Sequence, residues 1–522
     1  MGKPLQAASI VAPGFFGLNT QESGVTLEAG FALTATNCVI DKFGRLGTRR
    51  GWQYRTTELD SVEGDNVNIN LKGLHDFVDL AGIKTYLSWS EDKFYKGYND
   101  LTELTPTTDD TVENGNWQVV TLNDRAYYFQ RGYKPLYYSN ETSSEVFEMV
   151  EDHPNYTGTV PQANTVLSAY GRLWAADTNQ NKTTVYFSDL LDGARWNSGS
   201  AGSINITGTF TKGSDTIVGL GAHNGNLIVF CKNSIIIFQD NDSFQASFDV
   251  TTLSLVEVIE GVGCIARDSI EHIGDDILFL SSTGVRSLGR TIQEKSQPMR
   301  DLSKNIRDDL STLVANEADL TNIKAVYAPN YAFYLLAFPA SGFVYCFDTR
   351  VPLEDGSLRV TLWDFLYHKD YLYDKETNQL LMAQEDGIAE YFGFLDNGET
   401  YRFQYFTNYF DLGQGNTTKI VKKIGTTLIA PQGQEYVVKI GFDYSNTYTS
   451  YPYFLGISGD LSEYGIDEYA IAEYNGGLLI ENIKAPVGGS GVVLQAGIEA
   501  DIKGAPLSVQ RLDVFVKLGR VI

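Results

Sequence analysis

The sequence predicts an all-β protein built around a β-propeller of five to seven blades. One kind of unit recurs between about residues 71 and 394: a turn or glycine, a short apolar and aromatic run, a second turn, and another run that ends in tyrosine or phenylalanine. A period of roughly 50 residues with several short strands in each unit is typical of propeller blades. The chain has 522 residues, 43% hydrophobic and 12% aromatic, which supplies a large core and exceeds one ordinary domain.

The repeated unit is clearest in five segments, which are residues 118–129, 166–176, 217–230, 270–280 and 323–336. The pairs Gly219-Leu-Gly221 and Gly261-Val-Gly263 lie inside this pattern. No helix is predicted after either pair, although a dinucleotide site requires one. We therefore interpret these residues as turn or bulge glycines.

The pattern divides the chain into three regions. Residues 1–65 carry few strand signals and many glycines, which predicts an extended N-terminal arm laid against other structure. Residues 66–400 contain the repeats and form the predicted propeller. In residues 401–522 the period is lost, but apolar and polar residues still alternate in 435–444 and 509–517, which predicts a C-terminal β-sandwich-like module.

One short helix interrupts the strands near residues 299–315. Apolar residues stand there at helical spacing, at Leu302, Ile306, Leu310, Leu313 and Val314. Asp301 or Ser303 would cap its N-terminus, because both side chains accept hydrogen bonds from the first turn of a helix.

The charge of the chain is strongly acidic. There are 40 Lys and Arg against 65 Asp and Glu, which gives a net charge of -25 and a pI of about 4.6. A groove that grips nucleic acid has the opposite charge, so tight DNA binding is not expected. An acidic surface suits a passage along which DNA slides, because like charges repel and no counterions are released. Composition alone leaves this interpretation and simple solubility both open.

The cysteines and the N-terminus indicate a protein made in a cytoplasm. Cys38, Cys231, Cys264 and Cys346 form no close pair and no Cys-x-x-Cys, so we expect reduced, structural thiols. Met1-Gly-Lys-Pro-Leu-Gln6 lacks a basic segment followed by an apolar core, and no apolar run approaches the ~18 residues of a membrane span. We therefore expect the protein to be made and kept in a cytoplasm, or to be assembled there into a particle.

Catalytic, cofactor and metal motifs are sparse. The five histidines, at positions 75, 153, 223, 272 and 368, show no metal-ligand spacing, and we interpret each as a surface or loop residue. No nucleophile elbow or phosphate-binding loop is present. We predict no catalytic residue, no cofactor and no metal. The sharpest enzymatic alternative is a sialidase-like propeller, on the single imperfect match Asp192-Gly-Ala-Arg-Trp196.

Two stretches carry a resemblance to a known family. The first is Gly14–Gln21, Leu27–Leu46 and Arg49-Arg-Gly-Trp52, and the second is Tyr170–Asp177 with Val185–Asn197. Leu227–Phe238, Gly263–Ile270 and Thr283–Arg286 continue it in order. The ordered set resembles the tail nozzle, or hub, proteins of short-tailed, podovirus-like bacteriophages, including packaged-DNA stabilisation proteins. The blade motif of that family also accounts for Asp192 to Trp196 better than a sialidase motif does.

The resemblance implies a structural virion protein without enzymatic activity. It implies a homohexameric ring in the viral tail, below the portal and adaptor proteins, that retains packaged double-stranded DNA and conducts it during ejection. Other expected partners are tail proteins such as fibres or a needle. Arg49, Arg50 and Arg55 form the most basic patch and are the candidate assembly contacts, with solvated surface arginines as the other interpretation. The rival function is a glycan-binding or glycoside-cleaving propeller, such as a receptor-binding tail component.

Overall fold

The protein is described here by a computed structural model that covers residues 5–56, 58–59, 69–107, 115–141, 144–211, 213–240, 250, 252–294, 301–431, 433–445, 447–455 and 479–521. The predicted all-β fold with a β-propeller is confirmed. Its sheets are mostly antiparallel meanders, in which consecutive strands of the chain pair with one another.

The first 60 residues contain more strands than the sequence pattern indicates. Seven short strands lie there, namely β1 (Gln6–Val11), β2 (Gly17–Leu18), β3 (Phe31–Thr36), β4 (Cys38–Ile40), β5 (Leu46–Thr48), β6 (Trp52–Tyr54) and β7 (Glu58–Leu59). Most of them pair with strands far away in the sequence, β1 with the last strand of the chain for example. Local sequence carries little sign of such strands, since their partners lie hundreds of residues away.

The propeller strands follow in chain order. The first blade contains β8 (Gly73–Val78), β9 (Lys84–Trp89), β10 (Phe94–Lys96) and β11 (Asp100–Leu104), to which β7 adds a parallel strand. The second contains β12 (Gln118–Leu122), β13 (Arg125–Phe129), β14 (Leu136–Glu141) and β15 (Ser144–Met149). The third contains β16 (Ala163–Ala169), β17 (Arg172–Thr178), β18 (Thr184–Phe187) and β19 (Gly202–Asn205). The fourth contains β20 (Ile217–His223), β21 (Asn226–Cys231), β22 (Ser234–Asp240) and β23 (Leu253–Glu260).

A smaller sheet and two further blades complete the ring. The three-stranded sheet contains β24 (Glu271–Ile273), β25 (Asp276–Ser281) and β26 (Gly284–Ser287). The fifth blade contains β27 (Lys324–Ala328), β28 (Phe333–Phe338), β29 (Phe343–Asp348) and β30 (Arg359–Asp364). The sixth contains β31 (Asp370–Asp374), β32 (Gln379–Gln384) and β33 (Gly387–Tyr391), with β6 as its fourth strand. Among the described residues the propeller thus has six blades of four or more strands and one three-stranded sheet.

The first strand of each sheet lies at the propeller axis. Contacts run from β8 to β12, β16 and β20, then through Arg267–Ser269 and β24 to β27, β31 and back to β8. The ring is closed by the N-terminal strand β6, in which Trp52 and Tyr54 stand opposite Tyr391 and Ala389 of β33. Neighbouring sheets pack through aromatic side chains, as where Tyr128 of β13 contacts Trp89 edge to face at 5.9 Å.

The described residues between the three-stranded sheet and the fifth blade include two α-helices. They are α1 (Leu288–Glu294) and α2 (Arg307–Asn316), with a 3₁₀ turn at Lys304–Ile306 before α2. The predicted helix near 299–315 is confirmed in α2, and α1 was not anticipated. The predicted cap is wrong: Asp301 accepts from the Arg307 guanidinium, and Ser303 Oγ accepts from the Val285 amide. Further 3₁₀ turns are Val150–Asp152, Thr207–Thr209, Arg267–Ser269 and Leu320–Asn322.

The C-terminal residues form a β-sandwich. Its strands are β34 (Tyr401–Thr407), β35 (Thr417–Ala430), β36 (Glu435–Phe442), β37 (Thr449–Phe454), β38 (Leu479–Pro486), β39 (Ser490–Gly491), β40 (Leu494–Ile502) and β41 (Ser508–Val521). One sheet joins β35, β38, β39 and β41 to β1, β4 and β5; the other joins β34, β36, β37 and β40 to β3, and through β2 to the fifth blade. The N-terminal strands are thus part of the sandwich. The region boundaries at residues 65 and 400 stay a prediction.

Two further sequence expectations concern cysteines and membrane helices. All four cysteines are buried free thiols, as expected. Within the described residues, no helix combines the length and the apolar character that a membrane crossing requires.

Candidate functional site: the charged propeller axis

A cluster of charged side chains lies where the axial strands begin. We call Arg267, Asp268, Glu271, Lys324 and Asp370 the axial cluster. Arg267 and Asp268 belong to the 3₁₀ turn before β24, while Glu271, Lys324 and Asp370 are the first residues of β24, β27 and β31. The blade geometry brings them together, because the axial strands of neighbouring sheets start at the same end of the propeller.

Arg267 is the centre of this cluster. Its side chain is 1% exposed, and it donates from Nε and Nη2 to the two carboxylate oxygens of Asp268, both at 2.8 Å. It also donates to the main-chain oxygen of Asn164 at 2.5 Å and to Oδ1 of Asn116 at 3.0 Å. The guanidinium therefore links the three-stranded sheet to the start of the second and third blades, across the axis.

Asp268 is held ionised by its neighbours. Burial alone would raise the pKa of this carboxyl, but the charges of Arg267 and Lys324 outweigh that effect and lower its pKa well below the usual range. The Lys324 ammonium lies 2.6 Å from Asp268 Oδ2. Arg267 and Lys324 therefore share one carboxylate, and the three groups form a buried ion network at the axis.

The two other carboxyl groups of the axial cluster respond in the opposite direction. Burial, followed by repulsion from Asp370 and Asp268, raises the pKa of Glu271 to about 8. Burial also raises the pKa of Asp370 to about 6, and its Oδ2 accepts from the Leu74 amide at 3.1 Å. Glu271 is therefore protonated at neutral pH, beside the ionised Asp268.

Two cavities open at this end of the axis. The axial cavity has a volume of about 170 Å³ and is lined by the axial cluster together with Trp89 and Trp117. The mouth cavity has a volume of about 290 Å³ and is lined by Lys72, Asn116, Lys324 and Lys369 among others. Lys324 lines both, so the two cavities are adjacent.

The sequence-predicted arginines lie elsewhere, at the junction of the N-terminal segment with the last blade and the sandwich. The Arg49 side chain is 0% exposed and donates to both carboxylate oxygens of Asp396, at 2.8 and 2.6 Å, and to Asn37 Oδ1 at 2.8 Å. It also covers the Tyr401 ring at 4.1 Å. A contact with another subunit requires an exposed side chain. Arg49 is instead buried, and its partners belong to its own chain.

Arg50 and Arg55 keep partial exposure. The Arg50 guanidinium lies 5.5 Å from the Tyr331 ring centre. Arg55 pairs with Glu390 of β33, with 30% of its side chain exposed. The assembly role of the three arginines stays a prediction, and Arg50 and Arg55 are its accessible members.

The histidines were predicted to be surface or loop residues. His153 and His368 do lie in loops, although both are buried, and His223 and His272 lie at accessible strand positions. His75 corrects the prediction, because it lies inside β8 and its Nε2 is 2.8 Å from Thr121 Oγ1 of β12. Burial lowers the pKa of His75 to about 4 and of His368 to about 3, so neither carries a proton at neutral pH.

The segment Asp192 to Trp196 is a folded turn. Asp192 Oδ1 accepts from the Ala194 amide at 3.0 Å and its Oδ2 accepts from Asn155 Nδ2 at 3.1 Å, while the Trp196 indole donates to the Gly193 oxygen at 2.8 Å. Its acidic group therefore serves local structure. The axial carboxylates, in contrast, were not singled out from the sequence. The available signal was the pair Arg267-Asp268 inside the otherwise apolar or small run Gly263–Ile270.

Comparison with known proteins places this architecture in a phage family. Residues 110–421, which cover more than half of the chain, match the family described as Bacteriophage P22 Gp10, beta-propeller. The chain belongs to this family and is a structural protein of a phage tail. The match begins between the first and second blades and ends within β35 of the sandwich.

Two further comparisons add little. No curated protein matches the sequence. A solved structure of PorZ, a bacterial surface component of the type-IX secretion system of Porphyromonas gingivalis, is 11% identical with a TM-score of 0.36. The alignment covers 77% of this chain and 46% of PorZ, so the chain spans less than half the length of that protein. A likeness at this level carries no argument about function.

Proposed function

We propose that the protein forms the ring-shaped nozzle, or hub, of a short-tailed phage, which retains packaged DNA and conducts it during ejection. The family match over residues 110–421 is the observation that carries this proposal. The ring is a homohexamer below the portal and adaptor proteins, and it is assembled in the host cytoplasm. The protein acts through shape and charge, with no chemical step.

The distribution of charge supports a conduit. The chain has a net charge of -25, and several of its exposed cations pair with carboxylates of the same chain. Asp177 shows this well, because it pairs with both Arg131 and Lys182. A duplex that passes a surface without unmatched basic stripes releases few counterions, so it slides instead of binding.

Exposed side chains of the sandwich supply a surface for other tail proteins. Among the strands that the structure describes, β37 is the last of its sheet, and Phe454 is 63% exposed there beside the partly exposed Tyr451 and Tyr453. Aromatic side chains at an accessible edge are typical of protein contacts. We assign fibre or needle proteins to this edge. The portal and adaptor would bind the opposite side of the ring, which faces the capsid.

The proposal is tested by measuring the mass of the assembly that the purified protein forms in solution, alone and mixed with the portal and adaptor of the same phage. Light scattering and electron microscopy should give a six-fold ring that docks on the portal and adaptor assembly. Filter binding should detect no tight complex with linear duplex DNA at physiological salt. A stable monomer that ignores the adaptor, or a protein that holds DNA tightly, would refute the conduit.

The axial carboxyl groups favour a second candidate, a glycan-binding or glycoside-cleaving propeller. A protonated Glu271 near an ionised Asp268 is the arrangement that glycosidases use for acid and nucleophile. The volume of the axial cavity, about 170 Å³, is below the range of about 300–1,000 Å³ that is usual for ligand sites. Release of nitrophenol from a panel of nitrophenyl glycosides, abolished in Glu271→Gln, would decide for this candidate.

A further inference from the structure

The mouth cavity collects lysines from three consecutive sheets. Lys72 immediately precedes β8, Lys369 immediately precedes β31, and Lys324 is the first residue of β27. The three lysines therefore lie near the starts of neighbouring axial strands. In a chain of net charge -25, three cations around one cavity of about 290 Å³ are a local reversal of charge.

Two of these lysines have no carboxylate partner within the part of the chain that the structure describes. Lys324 lies 2.6 Å from Asp268. Among the described residues, no carboxylate lies within ion-pair distance of Lys72 or Lys369. The stem of Lys72 lies against Gly115, because its Cγ would be 2.9 Å from a Cβ added to that glycine.

The remaining lining residues can form hydrogen bonds with a ligand that carries both an anionic group and hydroxyl groups. Asn116, Thr321 and Asn322 contribute amide and hydroxyl donors. The two acids, Glu91 and Asp319, are exposed residues, and Asp319 Oδ1 accepts from the Thr321 amide at 3.0 Å. The lysines are the less exposed residues, with Lys324 buried, so the inner part of the cavity is positive and the outer acids are screened by solvent.

We propose that the mouth cavity binds the phosphate group of a small phosphorylated molecule. The two ammonium groups of Lys72 and Lys369 balance the two negative charges of a phosphate monoester. A carboxylate carries one negative charge and would neutralise only one of them. The cavity has room for a group attached to the phosphate, and Glu91 and Asp319 at its rim accept hydrogen bonds from hydroxyls. This site goes beyond the conduit function, which requires no ligand at the propeller axis.

The test uses the full chain, with inorganic phosphate and glucose 1-phosphate as probes and glucose as the probe without phosphate. Calorimetric titration at constant ionic strength should show saturable binding of both phosphates and none of glucose. Lys72→Gln and Lys369→Gln should each weaken binding, and the double variant should weaken it by about tenfold or more, since each charge-assisted contact is lost. Tighter binding of glucose 1-phosphate identifies a sugar phosphate as the ligand, and equal binding identifies free phosphate.

Lys232→Gln is the matched control, because Lys232 is an exposed propeller lysine outside the cavity and the change in net charge is the same. Its affinity for both probes should equal that of the wild type. Each variant is first checked by its melting temperature in chloride, and the single variants remain informative if the double variant does not fold. No saturable binding to the wild type, or an equal loss in Lys232→Gln, would overturn the proposal.

Discussion

The propeller blades differ in construction from the junction of the N-terminal segment with the last blade and the sandwich. In the blades, consecutive strands are joined by tight turns, as at Asn224-Gly225, where φ is +48° and +75°. Both central residues of a type I′ hairpin turn have positive φ, so such turns can be recognised from Asn and Gly. At the junction, β1 pairs with β41 and Arg49 reaches Asp396. Local turns therefore organise the blades, and buried long-range contacts organise the junction.

The contrast also concerns where charge is placed. In the first blade, Lys93, just before β10, and Glu103 of β11 pair at 3.0 Å with their side chains 44% and 30% exposed. At the junction, the Arg49 side chain is fully buried and donates to Asp396 and to the Asp364 main-chain oxygen, both more than 300 residues away in the sequence. Exposed ion pairs such as Lys93–Glu103 contribute little to the free energy of unfolding. Removing one partner of a buried pair such as Arg49–Asp396 lowers that free energy substantially.

The largest expected effect is that of Arg49→Met. The substitution leaves the Asp396 carboxylate without its cation and removes one of the two donors to Asn37 Oδ1 in a buried site. We therefore expect a loss of about 3–5 kcal/mol in the free energy of unfolding. Urea denaturation followed by tryptophan fluorescence measures it. Arg50→Met is the control, with a much smaller loss. A loss below about 1 kcal/mol for Arg49→Met would mean that the junction does not depend on this contact.

Gly51→Ala should have the next largest effect. A Cβ at position 51 would lie 1.9 Å from the main-chain oxygen of Leu395, so the N-terminal segment must move away from the end of the last blade. Overpacking of this kind costs about 1–3 kcal/mol, measured by thermal unfolding. Gly208→Ala, where an added Cβ meets nothing within 4 Å, is the control. Equal melting temperatures for both variants would contradict the close approach.

Glu271→Gln is expected to change the pH dependence of stability. The folded-state pKa of Glu271, about 8, is above its unfolded value, so the folded protein binds a proton that the unfolded chain releases. Stability from this group is full at acidic pH and falls as pH rises toward 8. The melting temperature of Glu271→Gln relative to wild type should therefore increase from pH 5 to pH 8.

Glu376→Gln, in the exposed turn after β31, is the control for that titration and should show no such trend. We expect a smaller change than for Gly51→Ala, since the axial cavity opens toward the mouth cavity and solvent relaxes around the charged carboxylate. A difference between Glu271→Gln and wild type that stays constant with pH would show that Glu271 is ionised in the folded protein.

Lys93→Gln should have the smallest effect. The ion pair with Glu103 is largely exposed, so its loss should cost about 0.2–1 kcal/mol at low salt and still less at high salt. Urea denaturation at two salt concentrations measures both values. A loss as large as that of Arg49→Met would remove the distinction between the two regions.

The candidate site was harder to predict than the fold. Period, turn residues and alternation indicated the propeller, the sandwich and helix α2, because each of these signals is local. The axial cluster joins residues of three different sheets, such as Asp268, Lys324 and Asp370, and each alone is an ordinary charged residue near a turn. The three arginines were chosen as a local basic cluster, and local charge does not reveal which of them is buried.

The sequence by itself determined the strand-and-turn repeat, the acidic balance, the reduced cysteines and the order of motifs that places the chain in a phage family. These properties depend on composition and on neighbours within a few residues. Tertiary structure alone decided that the N-terminal strands complete the sandwich and close the last blade, that Arg49 is buried, and that burial raises the pKa of Glu271. The physical reason is that burial and pairing depend on residues brought together from distant sequence positions, and these set both the desolvation of a charge and the partners that compensate it.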